Sequence, residues 1–189
     1  MLSMPQNAAL IVIDVQKGFD DPQWGPRNNP DAEKIIATLL STWRETARPV
    51  FHVQHLSDSD SSPLHPRNAG CEIKDNVRPL ETERIFLKRV NSAFIGTQLE
   101  NALRQLGIGT LVMVGLTTPH CVSTSVRMAG NLGFKVYLAN DATAAFEITG
   151  PDGKRYSAEE VHSVSLATLH GEFATVVDSR ALLDSVRHL

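Results

Sequence analysis

Three reactive side chains, Asp14, Lys88 and Cys121, each stand at or just beyond the end of a short apolar segment. A cysteine thiolate is a strong nucleophile, and a nearby ammonium group and the start of a helix both lower the pKa of a thiol. A carboxylate within hydrogen-bonding distance can take the thiol proton and later deliver it to a leaving amine. The three residue types therefore predict amide hydrolysis through a thioester, with Cys121 as nucleophile and Asp14 as general base and acid.

Each of these residues, taken alone, also has a purely structural explanation. A cysteine at a helix start commonly packs as a small apolar residue, and an aspartate after a strand commonly caps a turn. A lysine at a strand end commonly faces solvent. The hypothesis of a shared site therefore depends on the fold that the rest of the sequence predicts.

The apolar pattern predicts strands that alternate with helices. Residues 8–15 form a nearly continuous apolar run, which is typical of a strand buried on both faces of a parallel sheet. Glycines follow two of the predicted helices, and Ser157 with Glu160 predicts a capping box at the start of another. Further strands are predicted at residues 50–55, 84–88, 110–115, 135–140 and 173–178, and helices at 31–48, 96–106, 120–132 and 157–170.

This alternation predicts a three-layer α/β/α, doubly wound domain over residues 1–189, with a mainly parallel six-stranded sheet in the order 3-2-1-4-5-6. A turn-rich insert at residues 148–156 predicts a small hairpin at the rim. Ligands of such sheets bind outside the carboxyl ends of the strands, where the strand order reverses. Asp14 and Cys121 are expected to face each other there, with Lys88 in the same cleft.

Composition limits the possible partners. The 189 residues carry 18 basic and 21 acidic side chains and a net charge of −3, without the basic footprint of a nucleic-acid-binding protein. No segment approaches the about 18 apolar residues of a membrane span, and the first residues do not form a signal peptide, so we expect a cytoplasmic protein without a membrane partner. Two cysteines make no disulfide framework, and Cys71 has no assigned role. Neither a GxGxxG nor a GxxxxGK[ST] sequence follows a predicted strand, which argues against a nucleotide-binding protein.

Around the three reactive residues, the sequence resembles the isochorismatase-like cysteine hydrolases, which include nicotinamidases, carbamoylsarcosine amidohydrolases and ureidoacrylate hydrolases. The resemblance implies a catalytic triad of Cys121, Lys88 and Asp14. It also implies a cis peptide bond between Leu116 and Thr117, and an oxyanion hole formed by the backbone amides of Thr117 and Cys121. The segments that carry the resemblance are LIVIDVQKGF at 10–19, LKRVNSAFIGTQLENALRQLGI at 87–108, VMVGLTTPHCVSTSVRMAGNLGFKVYLANDATAAF at 112–146 and HSVSLATLHGEFATVVDS at 162–179.

Two differences between this sequence and members of the superfamily narrow the range of expected substrates. True isochorismatases hydrolyse a vinyl ether without a cysteine nucleophile, so Cys121 argues against that substrate. Nicotinamidases bind a metal through an Asp-x-His pair after strand two, whereas this sequence reads HVQH at residues 52–55. His52 and His55 are expected on opposite faces of the strand. We therefore expect no metal and no cofactor, and metal binding near His52, His55 and His65 stays open as an alternative.

The leading interpretation is a metal-independent cysteine hydrolase that cleaves a C–N bond of a small amide, lactam or ureido compound through an acyl-enzyme on Cys121. The alternatives are a thiol-based binding or redox-sensing protein on the same fold and a metal-dependent nicotinamidase-type amidase. We expect a homodimer or homotetramer. The sequence around Cys121 is most similar to that of streptothricin hydrolase. Gln16 is expected to orient the acid or the first loop, and the aromatic candidates have core packing as an equal alternative. The candidate substrate-binding residues are Gln16, Phe19, Trp24, Asn91, Phe94, Thr118, His120, Phe146 and Glu147.

Overall fold

A central sheet of six parallel strands organises the fold. The computed structural model describes residue 2 and residues 4–187 of the chain. Its strands are β1 (Ala9–Ile13), β2 (Val50–His55), β3 (Arg84–Lys88), β4 (Thr110–Leu116), β5 (Lys135–Ala144), β6 (Ile148–Thr149), β7 (Arg155–Tyr156) and β8 (Thr175–Val177). The central sheet has the order β3-β2-β1-β4-β5-β8, and its neighbouring strands are parallel. Because β8 is the sixth strand of this sheet, the predicted order 3-2-1-4-5-6 is confirmed.

Helices cover both faces of the sheet. In the described part of the chain they are α1 (Ala32–Glu45), α2 (Leu99–Gln105), α3 (Ser123–Asn131), α4 (Ala158–Ala167) and α5 (Ser179–Arg187). The predicted helix at 120–132 is wrong at its start, because Thr118–Val122 forms a π-helical turn before α3. Helix α5 was not predicted. Strand β5 extends beyond its predicted end because it pairs with β4 again after a register shift between Met113 and Gly115.

Strand β1 shows why its sequence is a continuous apolar run. Its residues are all buried, and alternate side chains point to opposite faces of the sheet. Ile11 and Ile13 pack in a core cluster with residues of α2 and α3. Leu10 and Val12 pack in a second cluster with residues of α1 and α5, where the Trp43 ring nitrogen donates to a backbone carbonyl of the chain before β1. The core therefore has two halves, and β1 is buried between them.

Strands β1 and β4 approach each other closely at their carboxyl ends. Gly115 has a φ of 127°, and a Cβ atom there would lie 2.0 Å from the carbonyl oxygen of Ile13. Only glycine fits this position without moving a neighbouring strand. Asp14, the residue after Ile13, has a φ of 51°, in the left-handed region. This close approach brings Asp14 next to the segment that follows β4.

The smaller predicted features are also present. Strands β6 and β7 pair antiparallel, which confirms the hairpin predicted at residues 148–156. Ser157 and Glu160 form both hydrogen bonds of the capping box at the start of α4. Gly107 and Gly133 have φ values of 63° and 83° at the ends of α2 and α3, as predicted. Within the residues that the structure describes, no helix combines the length and the apolar character needed to cross a bilayer.

Candidate active site

The structure brings Asp14, Lys88 and Cys121 together at the carboxyl edge of the sheet. Asp14 follows β1, Lys88 is the last residue of β3, and Cys121 lies in the π-helical turn that joins β4 to α3. All three are buried. The Lys88 Nζ lies 2.6 Å from Oδ2 of Asp14 and 3.3 Å from Sγ of Cys121. The ammonium group therefore bridges the carboxylate and the thiol.

Burial sets the protonation of the acid and the thiol. Desolvation raises the pKa of Asp14 to about 6, although the Lys88 ammonium opposes this shift. Desolvation and the negative charge of Asp14 raise the pKa of the Cys121 thiol to about 12, again against the effect of Lys88. The expectation of a lowered thiol pKa is wrong, because burial removes the thiol from water and the nearby ammonium is shared with a carboxylate. At neutral pH the resting site thus holds an ionised Asp14 carboxylate and a neutral Cys121 thiol.

The turn that carries Cys121 is held by its own backbone and by α4. The carbonyl of Thr117 accepts hydrogen bonds from the amides of His120 and Val122, at 3.1 and 3.3 Å. The peptide bond between Leu116 and Thr117 is cis. On the other side of the turn, Oγ1 of Thr118 lies 2.8 Å from Nδ1 of His162, a buried residue of α4. The oxyanion hole of the Thr117 and Cys121 amides stays a prediction.

A cavity of about 510 Å³ opens onto Cys121. Its most distinctive surface is an aromatic wall, formed by Phe19, Trp24 and Phe146 with ring centroids 5.5 to 6.3 Å apart. On another side, Oδ1 of Asn91 lies 3.8 Å from Sγ of Cys121. Of the predicted substrate-binding residues, those that line this cavity are Phe19, Trp24, Asn91, His120, Phe146 and Glu147.

Three predicted substrate-binding residues lie elsewhere. The Gln16 side chain is buried and forms hydrogen bonds with the backbone of His55 and Cys71, so it holds the neighbouring segments of the site together. The Phe94 ring stacks on Phe134, with centroids 6.1 Å apart, at the edge of one core cluster. Thr118 is turned away from the cavity toward α4, where it meets His162 as described above. None of these three residues lines the cavity, so their substrate contacts stay predictions, and Gln16 lies where it can orient the first loop, as expected.

His55 was considered from the sequence only as a possible metal ligand, and its contact with Lys88 was missed. Its Nδ1 lies 3.0 Å from Nζ of Lys88, and its ring lines the cavity. The pairing of β2 with β3 sets His55 directly beside Lys88. The sequence signal for this contact is that His55 and Lys88 are polar residues at the ends of adjacent strands. Only the register of these strands shows that the two residues are neighbours. Glu147 also lines the cavity, with its carboxylate bonded to Arg155 of β7.

The site does not fit a metal ion. Among the residues that the structure describes, the potential metal-binding cluster is Asp14, His55 and Cys121, whose donor atoms lie within 4.8 Å of one another. The Lys88 Nζ lies within 3.3 Å of all three donor atoms, so the ammonium group occupies the position that a metal ion would need. The other histidines suggested by sequence do not join this cluster. His52 lies 2.9 Å from a carboxylate oxygen of Glu83, and His65 pairs with Asp60 at 3.3 Å.

Comparisons with known proteins identify the family. Residues 8–181 match the sequence model described as the Isochorismatase domain. The uncharacterized isochorismatase family protein YrdC of Bacillus subtilis is 51% identical over 96% of this chain and 97% of its own length. Streptothricin hydrolase of Streptomyces noursei is 30% identical over 77% of this chain and 57% of its own length.

Solved structures show the same fold over the whole chain. An isochorismatase-family protein from Chromobacterium violaceum superposes with a TM-score of 0.96 and 43% identity, covering 100% of this chain and 98% of that one. The fold is therefore isochorismatase-like, as the sequence resemblance implied. With the match of the family model, this likeness shows that the chain belongs to the isochorismatase family of hydrolases.

Proposed function

We propose that this hydrolase cleaves a C–N bond of a small amide, lactam or ureido compound without a metal, using Cys121 as nucleophile. The observation that carries the proposal is the buried contact between carboxylate, ammonium and thiol beside a cavity of substrate size. Relatives named nicotinamidase, streptothricin hydrolase and maleamate amidohydrolase support a C–N bond as the target. The position of the Lys88 ammonium within the one potential metal cluster of the described residues supports a metal-independent reaction.

In the first step, Sγ of Cys121 attacks the substrate carbonyl carbon while the Asp14 carboxylate takes the thiol proton. The high pKa of the thiol disfavours a free thiolate, so the proton leaves as the C–S bond forms. Burial makes Asp14 a stronger base than an ordinary carboxylate, because it raises the pKa of this group to about 6. The carbonyl π electrons move to oxygen, and the amides of Thr117 and Cys121 hold the oxyanion.

In the second step, the tetrahedral intermediate collapses and the C–N bond breaks. Protonated Asp14 delivers its proton to the departing nitrogen, so a neutral amine or ammonia forms and a thioester remains on Cys121. From a lactam, the amine stays attached to the acyl group. Water then attacks the thioester while Asp14 takes one of its protons. The C–S bond breaks, the carboxylic acid leaves, and Asp14 returns the proton to sulfur. Lys88 stays an ammonium throughout and balances the charge on Asp14 or on the sulfur.

The cavity favours a small substrate with a flat apolar part. The aromatic wall of Phe19, Trp24 and Phe146 offers ring faces, and edges, against which such a group packs. Asn91 and His120 provide polar contacts near Cys121.

The predicted homodimer or homotetramer and the predicted cytoplasmic location stay part of the proposal.

A redox-sensing thiol is the weaker candidate. Sensor cysteines have a low pKa and are accessible to solvent, because the thiolate is the form that reacts with oxidants. Cys121 has the opposite properties, since it is 8% exposed and its thiol pKa is raised to about 12. The contact with a general base is better suited to a nucleophile that is deprotonated during attack.

Turnover of a panel of small primary amides, lactams and ureido compounds tests the proposal. Amine or ammonia release is measured with wild type, Cys121→Ala and Cys71→Ala. Wild type and Cys71→Ala are expected to release amine from at least one compound, also after treatment with a chelator. Cys121→Ala is expected to be inactive. Amine release by Cys121→Ala at the wild-type rate would contradict the mechanism, and loss of activity on chelation would contradict metal independence.

A further inference from the structure

The ammonium group of Lys88 meets three side chains. Its Nζ lies 2.6 Å from Oδ2 of Asp14, 3.0 Å from Nδ1 of His55 and 3.3 Å from Sγ of Cys121. An ammonium group has three N–H donors and no acceptor, so the number of its donors matches the number of these contacts. The mechanism assigns roles to Asp14 and Cys121, but the third contact has no role in it.

The chemistry of this contact defines the state of the His55 ring. Because Lys88 can only donate, Nδ1 of His55 is the unprotonated acceptor and the ring proton is on Nε2. Burial, together with the charge of Lys88, lowers the pKa of His55 to about 4, although Asp58 and a backbone hydrogen bond at Val90 oppose this shift. The ring is thus a neutral acceptor at neutral pH and adds no charge to the site.

The position of His55 is itself fixed by Gln16. The Oε1 atom of Gln16 accepts from the backbone amide of His55, and its Nε2 donates to the backbone carbonyl of His55, both at 2.9 Å. The Gln16 side chain is fully buried, two residues beyond Asp14. One side chain therefore ties the end of β2 to the segment that carries the acid.

We propose that Gln16 and His55 are positioning residues of the hydrolytic site, with His55 holding the third N–H of Lys88 so that the other two stay directed at Asp14 and Cys121. The proposal rests on the proposed function. Without the acceptor on His55, the ammonium group is free to turn toward water or the substrate carbonyl, and its contacts with the acid and the thiol weaken. The loss affects the chemical step more than substrate binding.

Substitutions of His55 separate this role from simple packing. In asparagine, the acceptor Oδ1 is bonded to Cγ, as Nδ1 is in histidine. Leucine has no acceptor. His55→Asn is expected to keep kcat within about threefold of wild type. His55→Leu and Gln16→Leu are expected to lower kcat by about 10- to 100-fold, with KM within about threefold, as for the loss of a hydrogen bond to a charged group. His170→Leu, an exposed histidine outside the cavity, is the matched control and is expected to keep wild-type kcat.

A second readout needs no amide substrate. The rate of Cys121 alkylation by iodoacetamide, followed by mass spectrometry, reports how well Lys88 stabilises the developing thiolate. His55→Leu is expected to slow alkylation several-fold and His55→Asn to leave it near the wild-type rate. Should His55→Leu not fold, as judged by its melting transition, His55→Gln replaces it, because its amide oxygen lies beyond the Nδ1 position.

The outcomes separate the two proposals. Equal kcat and equal alkylation rates for His55→Leu and wild type would overturn the positioning role and leave the proposed function standing. Equal losses in His55→Asn and His55→Leu would show that the ring packs rather than accepts a hydrogen bond, and would also overturn it. Absence of amine release from every amide by wild type would instead overturn the proposed function, and with it the role of His55 in that reaction.

Discussion

The buried carboxylate of Asp14 predicts a specific dependence of activity on pH. Asp14 accepts the thiol proton only when it is ionised, and burial raises its pKa to about 6. Ionised Asp14 therefore falls from about nine-tenths of the enzyme at pH 7 to about one-tenth at pH 5, and kcat/KM is expected to fall about tenfold over this interval. Because the pKa of the Cys121 thiol is about 12, no second inflection is expected near the ordinary thiol value.

The assay is kcat/KM for one hydrolysed amide from pH 4.5 to pH 9.5 at constant ionic strength. Asp14→Asn is expected to lower kcat/KM by about 10²- to 10⁴-fold and to remove the inflection. Glu147→Gln is the matched control, because it removes another carboxylate that lines the cavity, and it is expected to retain the inflection near pH 6. A profile that is flat from pH 5 to pH 8, or one that rises only above pH 8, would show that ionised Asp14 is not the base.

Three further predictions concern the fold, the cavity and stability at low pH. Gly115→Ala places a Cβ 2.0 Å from the carbonyl of Ile13 and is expected to lower the free energy of unfolding in urea by about 3–5 kcal/mol, whereas Gly109→Ala, with open space around it, is expected to change it by less than about 1 kcal/mol. Trp24→Ala removes part of the aromatic wall and is expected to raise KM about tenfold with little change in kcat; an unchanged KM would exclude the wall from binding. Burial raises the pKa of Glu33, but the hydrogen bonds and charges of Arg27 and Lys74 lower it to about 2. The ionised Glu33 carboxylate therefore stabilises the fold above about pH 4.5, and this stabilisation is lost toward pH 2. Glu33→Gln is expected to weaken the acid dependence of urea unfolding between these values.

The sequence predicted the positions that depend on local patterns. Strands β2 and β3 have the predicted ends because each contains several apolar residues and lies between segments rich in proline or polar residues. The sheet order followed from the alternation of strands with helices, because this order is common in doubly wound sheets. Asp14, Lys88 and Cys121 could be placed at one edge because each ends or follows a predicted strand. These features need no knowledge of which side chains touch.

The features that sequence reasoning missed depend on register and burial. The contact of His55 with Lys88 requires the pairing of β2 with β3, which a single sequence does not specify. The π-helical turn before α3 reads as ordinary helix, because the residue types at Thr118–Val122 do not distinguish the two forms. The raised pKa of Cys121 follows from how deeply its thiol is buried and how close it lies to Asp14, and neither is visible in spacing.

Detection of a covalent acyl group on Cys121 is the most direct test of nucleophilic catalysis by this thiol. Wild-type protein is mixed with a substrate amide, quenched in acid within the first turnovers, digested and measured by mass spectrometry. We predict an adduct on the peptide that contains Cys121, with a mass increase equal to the acyl group less one hydrogen, and none on Cys71. Steady turnover with no adduct on Cys121 in wild type and in Asp14→Asn, where any acyl-enzyme formed is expected to be hydrolysed slowly, would contradict the account.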